Sequence, residues 1–227
     1  MIAEIGHFAL ILALAVAAYQ TLVPLMGAAR GNRQMIASAV PATLIQLVLV
    51  YVAFAALTHA YLISDFSVQN VFENSHSAKP LLYKISGVWG NHEGSMLLWV
   101  FILASFGGAV AIFGENLPPT LRARVLAVQG SIGFAFLLFI VVASNPFARL
   151  NPVPIEGNGL NPVLQDPALA FHPPFLYAGY VGLSVAFSFA IAALIDGKVD
   201  AAWARWVRPW TLAAWMCLTI GIAMGSW

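Results

Sequence analysis

The run SMLLWVFILASFGGAVAIF, residues 95–113, decides the fold of this chain. It holds no charged side chain, and a helix of this length, rising about 1.5 Å per residue, matches a hydrocarbon core roughly 30 Å thick. A helix satisfies every backbone N–H and C=O within its own segment, which surroundings without water require. The run therefore predicts a transmembrane helix.

Comparable apolar runs recur along the whole chain. Hydrophobic residues make up 61% of the 227 and charged residues only 8%, too few to cover a water-soluble globule. The predicted spans lie near residues 5–28, 38–63, 95–113, 124–144, 174–195 and 209–227. The alternating pattern of a membrane β-barrel is absent from the sequence. We expect an all-α, polytopic integral membrane bundle of about six helices with two long extracytoplasmic loops.

The distribution of positive charge predicts the orientation of the bundle. One side carries seven basic residues: Arg30, Arg33, Arg122, Arg124, Lys198, Arg205 and Arg208. The other side carries three: Lys79, Lys84 and Arg149. Because cytoplasmic loops are enriched in lysine and arginine, the first side is predicted to be cytoplasmic. Met1, Trp227 and the long loops near 64–94 and 145–173 are then predicted to lie outside the cytoplasm.

The stretch FHPPFLYAGY, residues 171–180, contains the most informative candidate ligand. A proline ring fixes its own φ and pushes the preceding residue towards an extended backbone. His172 is therefore predicted to stand just before a helix that Pro173 and Pro174 begin. Its imidazole could ligate haem iron while aromatic side chains cover the porphyrin. The pattern alone leaves a second interpretation, a histidine hydrogen-bonded at the membrane interface.

A second candidate segment, WGNHEGS at residues 89–95, leads into the third predicted span. Adjacent His92 and Glu93 at a helix start could bind a cation, relay a proton or cap the helix. The sequence has neither HExxH nor CxxC, and Cys217 is its only cysteine, which disfavours zinc hydrolysis and dithiol redox chemistry. A proton or cation transporter is an alternative function, less favoured because ionisable residues are scarce in the middle of the spans.

Several segments resemble the CcmF family, the haem lyase subunit of bacterial System I cytochrome c maturation. They are residues 6–10, 88–99 and 171–182, together with the loop GLNPVLQDP at 159–167. The resemblance extends over the whole chain. It implies a location in the bacterial inner membrane and a part in a haem lyase complex, which joins haem through thioether bonds to the CxxCH motif of apocytochrome c.

The resemblance implies that His172 is the axial ligand of the haem iron at the periplasmic face. Trp89, His92, Phe175 and Tyr177 are the further candidates for the haem pocket. The implied cofactor is haem b, held as the substrate. The family's second flanking histidine and the histidine that ligates its structural haem b have no counterpart in this sequence.

The resemblance also implies partners. These are the haem chaperone CcmE, CcmH- and CcmI-type subunits, apocytochrome c and the chain's own C-terminal half; no nucleic acid is expected. Because residue 227 falls where the family's tryptophan-rich WWD segment would begin, we expect residues 1–227 to be the N-terminal transmembrane half of a longer or naturally split protein. A third interpretation is a docking scaffold without independent haem binding. Asn91 departs from the small residue expected in the family, which questions how tightly that turn packs.

Overall fold

The computed structural model describes residues 1–226, and these are almost entirely helical. The helices are α1 (Ile2–Arg30), α2 (Arg33–Ala37), α3 (Ala39–Leu62), α4 (Gln69–Asn74), α5 (Leu81–Ser86), α6 (His92–Phe113), α7 (Pro119–Ala143), α8 (Pro167–Asp196) and α9 (Ala201–Gly225), with a 3₁₀ helix at Pro162–Leu164. Six segments are long and apolar enough to cross a membrane, with α2 and α3 counted as one. The predicted all-α membrane bundle is confirmed; the end of the last predicted span, Trp227, lies outside the described residues.

Small side chains allow α1 to pack closely against α3 and α7. Its buried positions recur every three or four residues, as expected for one face of a helix: Ala3, Gly6, Ala9, Leu10, Ala13, Ala17, Gln20, Pro24 and Gly27. A Cβ at Gly6 would collide with the Phe147 ring and lie 2.8 Å from the Cβ of Ala56. Membrane helices associate through such small residues because lipid provides little hydrophobic driving force between them.

Two long connections, residues 63–91 and 144–166, lie together at one end of the bundle, which we call the loop face. Arg149 joins them to α1, since its guanidinium donates to Glu4 at 3.0 Å and to Asp65 at 3.3 Å. Burial alone would raise the pKa of Asp65. The hydrogen bond from Ser67 and the charge of Arg149 outweigh burial and lower that pKa below its ordinary value of 3.8.

Helix α8 starts earlier than the double proline, so the prediction that Pro173 and Pro174 begin it is wrong. The side chain of Asp166 accepts hydrogen bonds from the backbone N–H groups of Ala168, at 2.8 Å, and Leu169, at 3.2 Å. Pro167 occupies the first helical position, where its missing N–H costs nothing. His172 is consequently helical rather than extended, and both later prolines lie inside the helix.

Candidate functional site

A cavity of about 290 Å³ opens on the loop face between the N-terminal ends of α6 and α8. It brings together three of the predicted pocket residues, Trp89, His92 and Tyr177, and adds Pro173. Phe175 and His172 are not among its lining residues. The predicted site is thus divided between this cavity and a neighbouring surface on α8.

Trp89 is held by a carbonyl that a proline leaves free. In an ideal helix the N–H of residue 174 would donate to the carbonyl of Ala170, but Pro174 has no N–H. The indole Nε1–H of Trp89 donates to Ala170 O instead, at 3.1 Å. This bond joins the segment before α6 to the first turns of α8 and fixes one wall of the cavity.

The imidazole of His172 is half-buried and has a defined tautomer. Its Nδ1 lies 2.8 Å from the carbonyl oxygen of Gly221 in α9. A carbonyl can only accept, so Nδ1 carries a proton, and in the neutral imidazole the lone pair is then on Nε2. A histidine that ligates a metal commonly has this arrangement, in which the other ring nitrogen donates to a backbone carbonyl.

Glycines allow α9 to approach α8 closely enough for this contact. A Cβ at Gly179 would lie 2.5 Å from the backbone nitrogen of Leu218, and one at Gly221 would lie 2.7 Å from the Cα of Leu176. A Cβ at Gly225 would lie 2.7 Å from Cε1 of His172. The imidazole therefore rests on a glycine surface of α9 that a larger residue would occupy.

Exposed aromatic rings lie beside His172 on α8. Phe171 precedes it and is 51% exposed, while Phe175 follows three residues later and is 40% exposed. Tyr177 and Tyr180 contact each other edge to face, with ring centroids 5.2 Å apart. Phe171 and Phe175 thus expose apolar rings on the turn of α8 that carries His172, of the kind that covers one face of a macrocycle.

Asn91 is a hydrogen-bonding centre that the sequence reasoning missed. Its side-chain oxygen accepts from the N–H of Gly94 at 2.7 Å, capping α6. Its amide donates to Tyr61 Oη at 3.0 Å and to the carbonyl of Gly87 at 2.8 Å. The turn therefore uses an asparagine for its hydrogen bonds, and the N-cap preference for asparagine before an apolar run was the signal that could have identified it.

His92 and Glu93 separate in the structure. His92 is exposed, lines the cavity and lies edge-on to Phe139, with ring centroids 6.4 Å apart. Glu93 turns away towards α4, where its carboxylate accepts from the amide of Asn70 at 3.2 Å. The adjacent pair does not act as one group.

Buried polar side chains within the described spans are neutral: Gln20, Thr43, Gln46, Gln129 and Ser188. Gln129 donates to the hydroxyls of Ser184 at 3.0 Å and Ser188 at 2.9 Å, which joins α7 to α8. Gln20 donates to the carbonyl of Leu126 at 2.7 Å. These bonds give the glutamines a role in helix packing.

Fold and site together define a multi-pass helical membrane protein with a half-buried histidine held on its loop face. Residues 89–227 match the family model described as Cytochrome C assembly protein, and this range includes most of the cavity lining, α8 and α9. The chain belongs to this family. The resemblance to CcmF predicted from the sequence is confirmed.

Two cytochrome c-type biogenesis proteins are similar to this chain over its full length. The chain is 68% identical over 227 residues to the cytochrome c-type biogenesis protein ccl1 of Rhodobacter capsulatus, and 50% identical over 227 residues to CcmF of Escherichia coli. A solved structure named Cytochrome c Heme Lyase CcmF has a TM-score of 0.86 over 97% of this chain, at 28% identity. The chain spans about a third of each of these relatives, 35% in every case.

Proposed function

We propose that this chain handles haem in cytochrome c biogenesis, with His172 as an axial ligand that binds haem iron through Nε2. The observation that carries the proposal is the 2.8 Å contact between His172 Nδ1 and Gly221 O. In this contact Nδ1 is hydrogen-bonded to the protein, and Nε2 remains available to a metal. A family whose name is cytochrome c assembly supports haem as the ligand.

The surroundings of His172 suit haem better than they suit a histidine that merely needs a hydrogen bond at the interface. Phe171 and Phe175 expose rings on the same turn of α8, at 51% and 40% of their surface. Large apolar rings exposed beside an imidazole can cover a porphyrin face and exclude water from iron. The rest of the pocket would come from partner subunits or from the further sequence present in the longer relatives.

The cavity lined by Trp89, His92 and Tyr177 has a supporting role in this proposal. Trp89 is fixed to Ala170, two residues before His172, so the cavity wall and the ligand helix move together. The cavity, at about 290 Å³, is at the lower limit for a ligand pocket. We assign it to the mouth of the haem site rather than to the porphyrin itself.

We further propose that the loop face is periplasmic in a bacterial inner membrane. The opposite end of the bundle carries most of the basic residues, including Arg124, which forms an ion pair with Asp196 between α7 and α8. That charge asymmetry follows the rule for cytoplasmic loops. The histidine ligand then faces the compartment in which c-type cytochromes mature.

The chemistry assigned to the whole complex is thioether formation between haem b and the CxxCH thiols of apocytochrome c. Each thiol adds across a haem vinyl group: the S–C bond forms at one vinyl carbon and the thiol proton goes to the other. Cys217 lies in α9, and this step needs no thiol from the chain itself. This chain would hold and orient the haem, because reactive groups fixed in position need little further activation. Its proposed partners are CcmE, CcmH- and CcmI-type subunits and apocytochrome c.

The test is haem binding and cytochrome c maturation by the His172→Ala variant. It is produced as residues 1–227 for haem titration, and within a full-length relative for complementation of cells that lack their own copy. We expect a shifted and weakened Soret band and a loss of covalently attached haem, with the spectrum partly restored by added imidazole. The control is His76→Ala, which changes a histidine on an exposed loop of the same face. Normal maturation together with an unchanged haem spectrum in His172→Ala would show that the ligand role is wrong.

A further inference from the structure

A second cavity, of about 400 Å³, lies at the end of the bundle opposite the loop face. Its walls are the start of α7, the turn that joins α8 to α9, and the first two turns of α9. The volume is within the range of small-molecule pockets, about 300–1,000 Å³. No function discussed above uses this cavity.

The cavity lies at the depth of the lipid headgroups. Three membrane-spanning helices begin or end around it, since α7 begins at Pro119, α8 ends at Asp196 and α9 begins at Ala201. Such helix ends lie near the boundary between hydrocarbon and water. Trp203 and Trp206 line the cavity from α9, and tryptophan is enriched at this boundary.

Two opposite charges line the cavity without pairing to each other. They belong to Lys198 and Asp200, and among residues 1–226 neither side chain forms an ion pair. The other carboxylate of the cavity, Asp196, is paired with Arg124. Asp200 caps α9 by accepting from the N–H of Trp203 at 2.8 Å, which occupies one of its two oxygens. One ammonium and one carboxylate oxygen therefore remain for a ligand that carries both charges.

The two indoles supply a surface for a cation. The indole of Trp203 is fixed in place because its Nε1–H donates to the carbonyl of Phe189 at 3.1 Å. Trp206 follows one turn later on the same side of α9. Within residues 1–226 no lysine or arginine lies over either ring, and the face of a tryptophan attracts an ammonium group.

We propose that this cavity binds the headgroup of a phospholipid that carries both a phosphate and a primary ammonium, of the phosphatidylethanolamine type. Lys198 pairs with the phosphate, while Asp200 and the two indoles receive the ammonium. Helix α7 begins without a side-chain cap, so the backbone N–H groups of its first turn are further donors for the phosphate. A headgroup with a phosphate alone would place a like charge beside Asp200.

Exposed apolar side chains beside the cavity hold the acyl chains. Leu194 and Ile195, which precede Asp196 in the last turn of α8, are 72% and 51% exposed. A lipid can cover these side chains while its headgroup occupies the cavity. A soluble zwitterion gains nothing from this surface, which favours a lipid as the ligand. The site is independent of His172 at the other end of the bundle, so this proposal and the haem proposal can fail separately.

The experiment is native mass spectrometry of the purified chain in detergent, titrated separately with phosphatidylethanolamine and phosphatidylglycerol of identical acyl chains. We expect one saturable site whose affinity for phosphatidylethanolamine is about tenfold or more above that for phosphatidylglycerol, because the second lipid has no ammonium. Soluble phosphoethanolamine at the same concentration should not displace the bound lipid, because it has no acyl chains to bury.

Matched variants test the two charges separately. Asp200→Asn removes the charge but keeps an N-cap acceptor, so it should lower the affinity for phosphatidylethanolamine about fivefold or more with α9 still capped. Asp166→Asn, the same change at the N-cap of α8 on the loop face, should have no effect on lipid binding. Lys198→Gln should weaken binding of both lipids, since both carry a phosphate. Arg205→Gln, at an exposed residue of α9 outside the cavity lining, should weaken neither.

Three results would overturn the proposal. The first is equal affinity of the wild-type chain for the two lipids, or no saturable binding of either. The second is an Asp200→Asn variant that keeps the full preference for phosphatidylethanolamine, which would show that the carboxylate does not receive the ammonium. The third is displacement of the lipid by an equal concentration of phosphoethanolamine, which would identify a soluble ligand instead of a lipid.

Discussion

Replacement of Gly221 by alanine tests whether the approach of α9 to α8 fixes the imidazole. A Cβ at this position would lie 2.7 Å from both N and Cα of Leu176, whereas ordinary contact begins at 3.4 Å. Because these are backbone atoms, no side-chain rotation can relieve the clash. The two helices must therefore separate by about 0.7 Å at this point.

That displacement is large compared with the tolerance of a hydrogen bond. The contact from His172 Nδ1 to Gly221 O would lengthen from 2.8 Å to about 3.5 Å, where little hydrogen bonding remains. Overpacking of this kind costs about 1–3 kcal/mol, and an interhelical hydrogen bond contributes about 0.6 kcal/mol. A loss of about 2 kcal/mol corresponds to a fall of roughly 4–8 °C in Tm for a chain of this length.

The assay is thermal unfolding by circular dichroism in detergent, combined with haem titration followed in the Soret region. The matched control is Gly107→Ala in α6, where the nearest atom to the new methyl group, Thr43 Cγ2, would lie 3.6 Å away. We expect Gly107→Ala to unfold at or slightly above the wild-type temperature, because a helical glycine is replaced where space exists. Gly221→Ala should unfold earlier and bind haem more weakly.

Two results would contradict this reasoning in different ways. Equal unfolding temperatures for Gly221→Ala and Gly107→Ala would mean that α8 and α9 do not pack as closely as the structure indicates. A clear loss of stability in Gly221→Ala with an unchanged haem spectrum would mean that the Gly221 carbonyl does not orient His172. The second result would leave the packing of the helices intact as a finding.

Two further predictions concern the loop face. Asn91→Ala should lower the free energy of unfolding by about 2 kcal/mol in denaturant titrations. The substitution removes the N-cap bond to Gly94 and leaves the buried Tyr61 hydroxyl with one partner fewer. An effect below that of an ordinary surface substitution would refute the hydrogen-bonding role of Asn91. Hydrogen bonds from Ser77 and from the N–H of Gly157 lower the pKa of Glu156 from 4.5 to about 2. The contact between Ser77 and Glu156 therefore stabilises the loops fully above pH 4.5, and this stabilisation is lost as the pH falls towards 2. Hydrogen exchange around residues 76–77 should increase over that window in the wild type and show no such dependence in Glu156→Gln.

Much of the fold could be predicted because long apolar runs admit few structures in a membrane. The run at 95–113 and its five counterparts specify helices through backbone hydrogen bonding alone, whatever their neighbours are. Local rules also operated at the start of α8, but two of them competed there. The proline bias at His172 favoured a late start, and the cap by Asp166 with Pro167 at the first position prevailed.

The site was only partly predictable because its contacts join residues that are distant in sequence. His172 and Gly221 are 49 residues apart, and Trp89 and Ala170 are 81 apart. The spacing of Gly221 and Gly225 is a known signal for close helix contact, but it does not identify the partner helix. Adjacent residues can also separate: His92 and Glu93 are neighbours in the sequence, yet they line different cavities.

The double proline has a different structural role from the one its sequence context predicts. Within α8, Pro173 and Pro174 cannot donate to the carbonyls of Leu169 and Ala170, a loss that usually destabilises a helix interior by about 3 kcal/mol. Ala170 recovers a partner in Trp89, and Leu169 lies at the wall of the first cavity. The prolines thereby create backbone acceptors on the turn that carries His172. A helix without them would satisfy these carbonyls with its own N–H groups, and Trp89 would have to share the Ala170 oxygen with a backbone donor.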